Sequence, residues 1–193
     1  MLNDKQKKRL LEIARSSIQE FLTKKCDLKI TEHDPVLNTH KGAFVTITLN
    51  GKLRGCIGHI TSDRPLYQTV SEMAVSAAVS DPRFSPLTGD EINRIQLEIS
   101  VLSELEKITE PEKIIVGQHG ILIRKGFYSG LLLPQVAVEY NWTREEFLEH
   151  TCFKAGLDKD DWKKDVDIYI FSAEVFGEPC ERISEVLPDC PDT

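Results

Sequence analysis

The sequence predicts an α+β fold in which two hairpin–helix–strand units, in the same order, build a curved, mostly antiparallel sheet with flanking helices. Three observations carry that expectation. The β-branched run Phe44–Leu49 meets a returning run, Lys52–Ile57, across Asn50-Gly51, the dipeptide favoured in type I′ turns. A second pair, Gly120–Arg124 and Leu131–Leu133, flanks a turn at Lys125–Gly130. Each pair is followed by a helical pattern and then by an alternating strand.

In chain order, a helix is expected over about Asp4–Lys24, with Asn3 as N-cap and Gln6 completing a capping box. Leu10, Ile13, Ala14, Ile18 and Phe21 recur at helical spacing and form its buried face. Lys5, Lys7, Lys8 and Arg9 crowd its first turns, which reads as a solvated face, with an anion site as the alternative. Residues 26–41 have no period and read as a loop. In the first hairpin, a two-residue turn pairs Leu49 with Lys52, Ile47 with Arg54 and Val45 with Cys56. That register puts Arg54 and Cys56 on the face of Val45, Ile47 and Leu49.

A helix follows over about Pro65–Val79, stopped by Ser80-Asp81-Pro82, because the residue before a proline leaves the helical region. Thr88-x-x-Glu91 is a capping box opening a short helix, and Arg94–Ser103 alternates as a strand with Ile95, Leu97, Ile99 and Val101 inward. In the second half, Thr143-x-x-Glu146 opens a helix that ends near Ala155, where Gly156 suits a left-handed C-terminal position. Val166–Phe176 reads as a single closing strand. The expected organisation is one domain over 1–177, divisible at about 1–103 and 104–177, with an acidic surface tail over 178–193. That tail holds five acids and one base.

Composition narrows the function classes. The 193 residues carry 24 basic and 31 acidic side chains, a net charge of −7. No general nucleic-acid binder is expected from that balance, since such proteins present a basic face. The apolar stretches fall short of the ~20 residues a membrane helix needs. Five cysteines without a CxxC, and without a signal-peptide pattern ahead of them, point to free thiols and a cytoplasmic location. Metal binding is not expected, because Cys56-x-x-His59 lacks two further ligands at matching spacing. No nucleotide-binding glycine loop and no serine-hydrolase elbow occur, and no cofactor is expected.

One segment stands out chemically. Leu53-Arg54-Gly55-Cys56-Ile57-Gly58 places two glycines in the returning arm of a hairpin, where they weaken a strand unless something approaches its backbone closely or the strand bends. Between them lies a thiol, with an arginine two residues earlier that would favour the thiolate. His59 follows as a proton partner if the strand bends at Gly58. The plain alternative is a small core cysteine in a curved sheet. Glu98 alternates away from Leu97 and Ile99 and reads either as an exposed strand residue or as the opposite side of a charged cleft. Asp81 and Arg83 punctuate a turn, Arg83 also being a candidate anion ligand. Gln135, after Pro134, is a candidate to read a substrate or to satisfy backbone groups.

LRGCIG resembles the signature of the AMMECR domain family. Ala77-Ala78, Asp81-Pro82-Arg83-Phe84, Pro86-Leu87, Glu98–Ser103, Gly130–Val136, Trp142, Glu146-Phe147-Leu148, Lys154–Leu157 and Trp162 resemble its later blocks, in order. The resemblance implies a small cytosolic α+β protein. It also implies a place beside a Memo-like protein and a radical S-adenosylmethionine protein in a modification system. Two functions follow as expectations. The first is an accessory or recognition module whose surface centres on Arg54, Gly55, Cys56 and Gly58, with Glu98, Arg83 and Gln135 near by. The second is an enzyme with Cys56 as nucleophile, Arg54 as anion partner and His59 or Glu98 as base.

Overall fold

Asn3 opens the first helix as its sequence signals. Its side chain accepts from the Gln6 N–H at 2.9 Å, and the Gln6 side chain accepts from the Asn3 N–H at 2.9 Å. The computed structural model describes residues 1–178, so the expected acidic tail beyond Glu178 lies outside the described residues. Helix α1 spans Asp4–Lys24 and buries Leu10, Ile13, Ala14 and Ile18. Each large aliphatic residue withdrawn in this way stabilises the fold by about 2 kcal/mol. Two of the four basic residues of the first turns meet tertiary partners. Lys7 lies 3.0 Å from Glu174 and Arg9 lies 2.9 Å from Glu32.

Strands β1 (Ala43–Leu49) and β2 (Lys52–His59) form the first hairpin. Asn50 at φ 52° and Gly51 at φ 74° supply the two left-handed residues of its turn. Helix α2 (Leu66–Val79) and strand β3 (Ile95–Leu102) follow, separated by a one-turn 3₁₀ helix, Gly89–Glu91, at the Thr88 capping box. The second unit contains β4 (Glu106–Ile108), β5 (Gly120–Lys125), β6 (Tyr128–Leu132), α3 (Pro134–Glu139) and α4 (Arg144–Ala155). It also contains β7 (Asp167–Phe171), and β8 (Ala173–Gly177) closes the described chain.

The α+β, antiparallel reading agrees with this architecture, and the strands divide between two four-stranded sheets, β2-β1-β3-β8 and β4-β7-β5-β6. The expected closing strand Val166–Phe176 is two strands in different sheets. It breaks at Ser172, whose N–H and carbonyl are taken by Ser103, at the place where the two chain crossings between the units lie side by side. The last strand of the second half thereby joins the first sheet, pairing Val175 with Ser100 and Phe176 with Ile99. The second hairpin turn is tighter than expected. Lys125 pairs with Tyr128 across Gly126-Phe127, so the strands run further than apolar character alone implied. Strand β4 and helix α3 were not anticipated. Both are too short to show a period.

Helices α1 and α2 cover one face of the first sheet over Val45, Ile47, Leu97 and Ile99. Helices α3 and α4 cover the second sheet over Ile121, Ile123, Ile168 and Ile170. A third cluster joins the sheets, with Leu102 and Phe44 from the first packed against Leu122, Leu131, Tyr169 and Phe171 from the second.

The first hairpin departs from the expected register. Leu49 pairs with Lys52 and Thr48 with Leu53, but Ile47 pairs with Gly55, Thr46 with Cys56 and Val45 with Ile57. Arg54 is the extra residue of a β-bulge, and it moves every later residue to the opposite face. Cys56 therefore shares the helix-free face with Thr46, and not the core face of Val45 and Ile47. Gly55 takes the core face instead, where a Cβ would overlap the Ala77 carbonyl of α2.

That contact generates a stability prediction. Gly55→Ala must push a helix backbone away from a strand and is expected to cost about 3 kcal/mol. Gly89→Ala, where a Cβ meets nothing within 4 Å, is expected to be near neutral. Urea denaturation of both variants checks this, and equal midpoints would show that the Gly55 contact is not tight.

Candidate functional site

The site is the edge of the first sheet around Cys56, built by three neighbouring segments. Where α2 ends, Asp81 turns its carboxylate inward, with the side chain only 2% exposed. It accepts from the Cys56 backbone N–H at 2.9 Å and from the Arg83 backbone N–H at 3.1 Å. The Arg83 guanidinium adds two bonds, of 2.9 and 2.7 Å, and reaches the Cys56 carbonyl at 3.3 Å. Both outward-facing backbone groups of Cys56 are thus occupied, which closes an edge strand that would otherwise be open to pairing. The Arg83 hydrogen bonds hold the Asp81 carboxyl well below the usual carboxylate range, against the opposing effect of burial.

Arg54 is held as firmly. Its Nε and Nη2 donate to the two Glu91 oxygens at 2.9 and 3.0 Å, and its Nη1 donates to the Ser85 carbonyl at 2.8 Å. Glu91 also accepts from the Thr88 N–H at 2.9 Å, so one carboxylate both caps the 3₁₀ turn and receives the bulged arginine. The Arg54 bonds and the Thr88 N–H bring the Glu91 carboxyl down to about 2 from its ordinary 4.5. The bulge explains why Arg54 points here rather than along the Cys56 face.

On the helix-free face, one row crosses three strands: Cys56 on β2, Thr46 on β1 and Glu98 on β3. The Thr46 Oγ1 donates to the Cys56 Sγ at 3.3 Å. Cys56 and Thr46 are half-buried and Glu98 is exposed. Cys56 and Glu98 stand about 10 Å apart, two strand spacings. On the same face Leu53 and Val175 are each 44% exposed. Gly58 lies under the Phe44 ring, which a Cβ there would overlap.

These contacts sort the residues singled out from sequence. Cys56 and Glu98 come together in one row, with Arg83 at its edge. His59 does not join them, because the ladder runs straight through Gly58↔Phe44 and Ala43↔His59 and puts His59 on the other face. Gln135 lies in the first turn of α3, which packs on the second sheet. Thr46 and Asp81 were not among the candidates. Thr46 was legible from its alternation with Val45 and Ile47, whereas a helix-terminating Asp before proline carries no local sign of burial. Among the described residues no group of three or more His, Cys, Asp or Glu is arranged to hold a metal ion. Nor is any helix there long and apolar enough to cross a membrane.

Residues 11–176 match the family profile described as AMMECR1. The chain belongs to the AMMECR1 family. It is 42% identical over 204 residues to protein Mbar_A1807 of Methanosarcina barkeri, covering 98% of this chain and 100% of that one. Protein MJ0810 of Methanocaldococcus jannaschii is 44% identical over 174 residues, 86% of each chain. The crystal structure of the uncharacterized protein PH0010 from Pyrococcus horikoshii superposes with a TM-score of 0.85 at 40% identity. That superposition covers 92% of this chain and 93% of the other. In this AMMECR1 protein, then, the LRGCIG segment is a bulged edge strand whose two glycines accommodate α2 and the Phe44 ring.

The carboxylates make the site's stability depend on acid. Because the folded Glu91 pKa lies below its ordinary 4.5, its contribution is complete above about pH 4.5 and is lost as the pH falls toward 2. Asp81 acts in the same direction at lower pH. Urea midpoints are expected to drop across that window. Glu91→Gln should lower the midpoint at pH 7 and flatten the acid slope. An unchanged slope would mean that the Arg54–Glu91 pair is not its source.

Proposed function

We propose that this chain is a cytoplasmic recognition component of a modification system, and that the helix-free face of its first sheet is the surface that meets a partner. The family resemblance suggests what the partners are: a Memo-like protein and a radical S-adenosylmethionine protein. The observation that carries the reading is how the charges around Cys56 are used. Asp81 and Arg83 occupy the Cys56 backbone groups, and Arg54 is engaged by Glu91. These groups stiffen a strand and do not converge as an acid, a base and an anion hole on one reacting atom. What this face of the sheet presents is a mixture of Cys56, Thr46, Glu98 and the half-exposed Leu53 and Val175, the composition of a polar rim with apolar anchors.

One observation favours a second reading, in which Cys56 is a nucleophile. A hydroxyl donor, Thr46, sits 3.3 Å from its sulfur and fixes the direction of the thiol on the exposed side of the strand. Neither expected base reaches the sulfur directly: Glu98 shares its row but stands two strand spacings away, and His59 lies on the far face.

The two readings separate experimentally. With purified Memo-like and radical S-adenosylmethionine proteins, Glu98→Arg is expected to weaken capture by about tenfold or more, because a charged substitution at a recognition surface removes complementarity. Cys56→Ser is expected to leave capture intact. Retention of every partner by Glu98→Arg would sink the recognition reading. The nucleophile reading requires Cys56 to react with iodoacetamide at pH 7 faster than a free small-molecule thiol, and Cys56→Ser to abolish cellular function.

A further inference from the structure

On the outside of the second unit, away from the Cys56 face, four rings form a ladder. Tyr140 stacks on Trp142 with centroids 5.0 Å apart and planes 18° from parallel. Trp142 stacks on His150 at 3.9 Å and 6°, and Phe153 meets His150 edge-on at 6.0 Å. Two elements contribute: Tyr140 caps the C-terminus of α3, while His150 and Phe153 lie on α4.

The backbone between them is unusual. Asn141 stands at φ 53°, in the left-handed region that asparagine enters more readily than other residues with side chains. Three backbone hydrogen bonds hold it there: Tyr140 N–H to Val136 O at 3.2 Å, Asn141 N–H to Val138 O at 3.1 Å, and Trp142 N–H to Ala137 O at 2.8 Å. This turn brings Tyr140 and Trp142 onto one side, so that two residues next but one in sequence can stack. Core packing does not account for the whole ladder. Trp142 borders the core of this unit, but Tyr140 is 66% and Phe153 55% exposed, with Val138 beside them at 56%.

Charges of both signs surround the ladder, and the one next to its most exposed ring is negative: Glu139 precedes Tyr140 and is exposed. Glu146 lies one helical turn before His150, whereas Glu149 lies near the Lys163 ammonium. Two of the nearby bases are turned elsewhere, Arg144 donating to the Ile114 carbonyl at 2.9 Å and Lys163 to Asp160 at 2.7 Å. Lys154 lies past His150, next to Phe153. An exposed aromatic face bordered by carboxylates suits a planar, weakly hydrated cation. A guanidinium stacks on a ring while donating to carboxylates in its own plane, and a compact ammonium does not.

We propose that the Tyr140–Trp142–His150–Phe153 ladder docks an arginine-bearing segment of a partner protein, its guanidinium stacked on the open face of Tyr140 and its charge met by Glu139. This surface belongs to the second unit and is independent of the Cys56 face, so either reading can fail without the other.

The test is calorimetric titration of the full chain, at low salt, with a peptide of about eight alternating glycines and arginines, beside lysine and glutamate versions. Saturable binding of the arginine peptide is expected, with the lysine peptide about tenfold weaker and the glutamate peptide silent. Tyr140→Ala and Glu139→Gln should each weaken binding by about tenfold, while Tyr140→Phe keeps it. Tyr140→Leu retains apolar bulk without the ring and should also lose binding. Urea midpoints of Glu139→Gln and Tyr140→Phe should match wild type, while Tyr140→Ala and Tyr140→Leu share the loss of the Trp142 stack and should fall by a similar, small amount. Equal binding of the arginine and lysine peptides would overturn the proposal, as would indifference to Tyr140→Ala. So would a dimer in sedimentation equilibrium that Tyr140→Ala dissolves, because a second copy would then cover the ladder.

Discussion

The Asp81 carboxylate ties the end of α2 to the edge of the first sheet, and the geometry around Cys56 depends on it. It accepts two backbone N–H groups and the Arg83 guanidinium while almost sealed from solvent. A buried carboxylate is tolerable only when its hydrogen-bonding capacity is filled, so Cys56 on β2 and Arg83 in the turn, whose groups fill it, are held at fixed distances. Gly55 adds the steric half of the same constraint, since α2 approaches β2 so closely that no side chain fits between them. Charge and shape together turn an edge strand, ordinarily the most adaptable part of a sheet, into a rigid one.

Arg54 contributes through its place in the bulge rather than through its charge alone. As the extra residue it leaves the ladder and crosses to Glu91 and the Ser85 carbonyl, clamping the segment after α2 onto β2. The same extra residue inverts the strand, sending Cys56 outward and Gly55 inward. Without the bulge, Cys56 would pack in the core beside Val45 and Ile47. The exposure of the thiol to a partner or reagent is therefore a consequence of one inserted residue.

The two sheets share one apolar contact, centred on Phe44 and Phe171, and the chain crosses between them twice at Ser103 and Ser172. The first crossing leads into the second unit and the second brings β8 back to pair with β3. That return leaves one face of the first sheet free of helices, where the Cys56 row lies. The second unit presents its aromatic ladder from the outside of α3 and α4. An AMMECR1 chain thus offers two chemically different surfaces, one a mixed polar strand face and one a set of stacked rings.

Much of this was readable along the chain. The Asn3 and Thr143 capping boxes, the Asn50-Gly51 turn, the stop at Asp81-Pro82 and the Gly156 cap all act within a few residues, so local chemistry suffices to specify them. The apolar stripes of α1, β1 and β3 likewise declared their buried faces, and the order of the LRGCIG and later blocks already resembled one family. The bulge at Arg54 could not be read this way, because it is stabilised by Glu91, Ser85 and α2, more than twenty residues away in sequence. The split of Val166–Phe176 into two strands had the same origin, since alternation describes a strand's faces and says nothing about which neighbour it joins. Local patterns settled the elements and their buried sides; long-range hydrogen bonds and backbone contacts decided the register, and with it which side of the sheet carries Cys56.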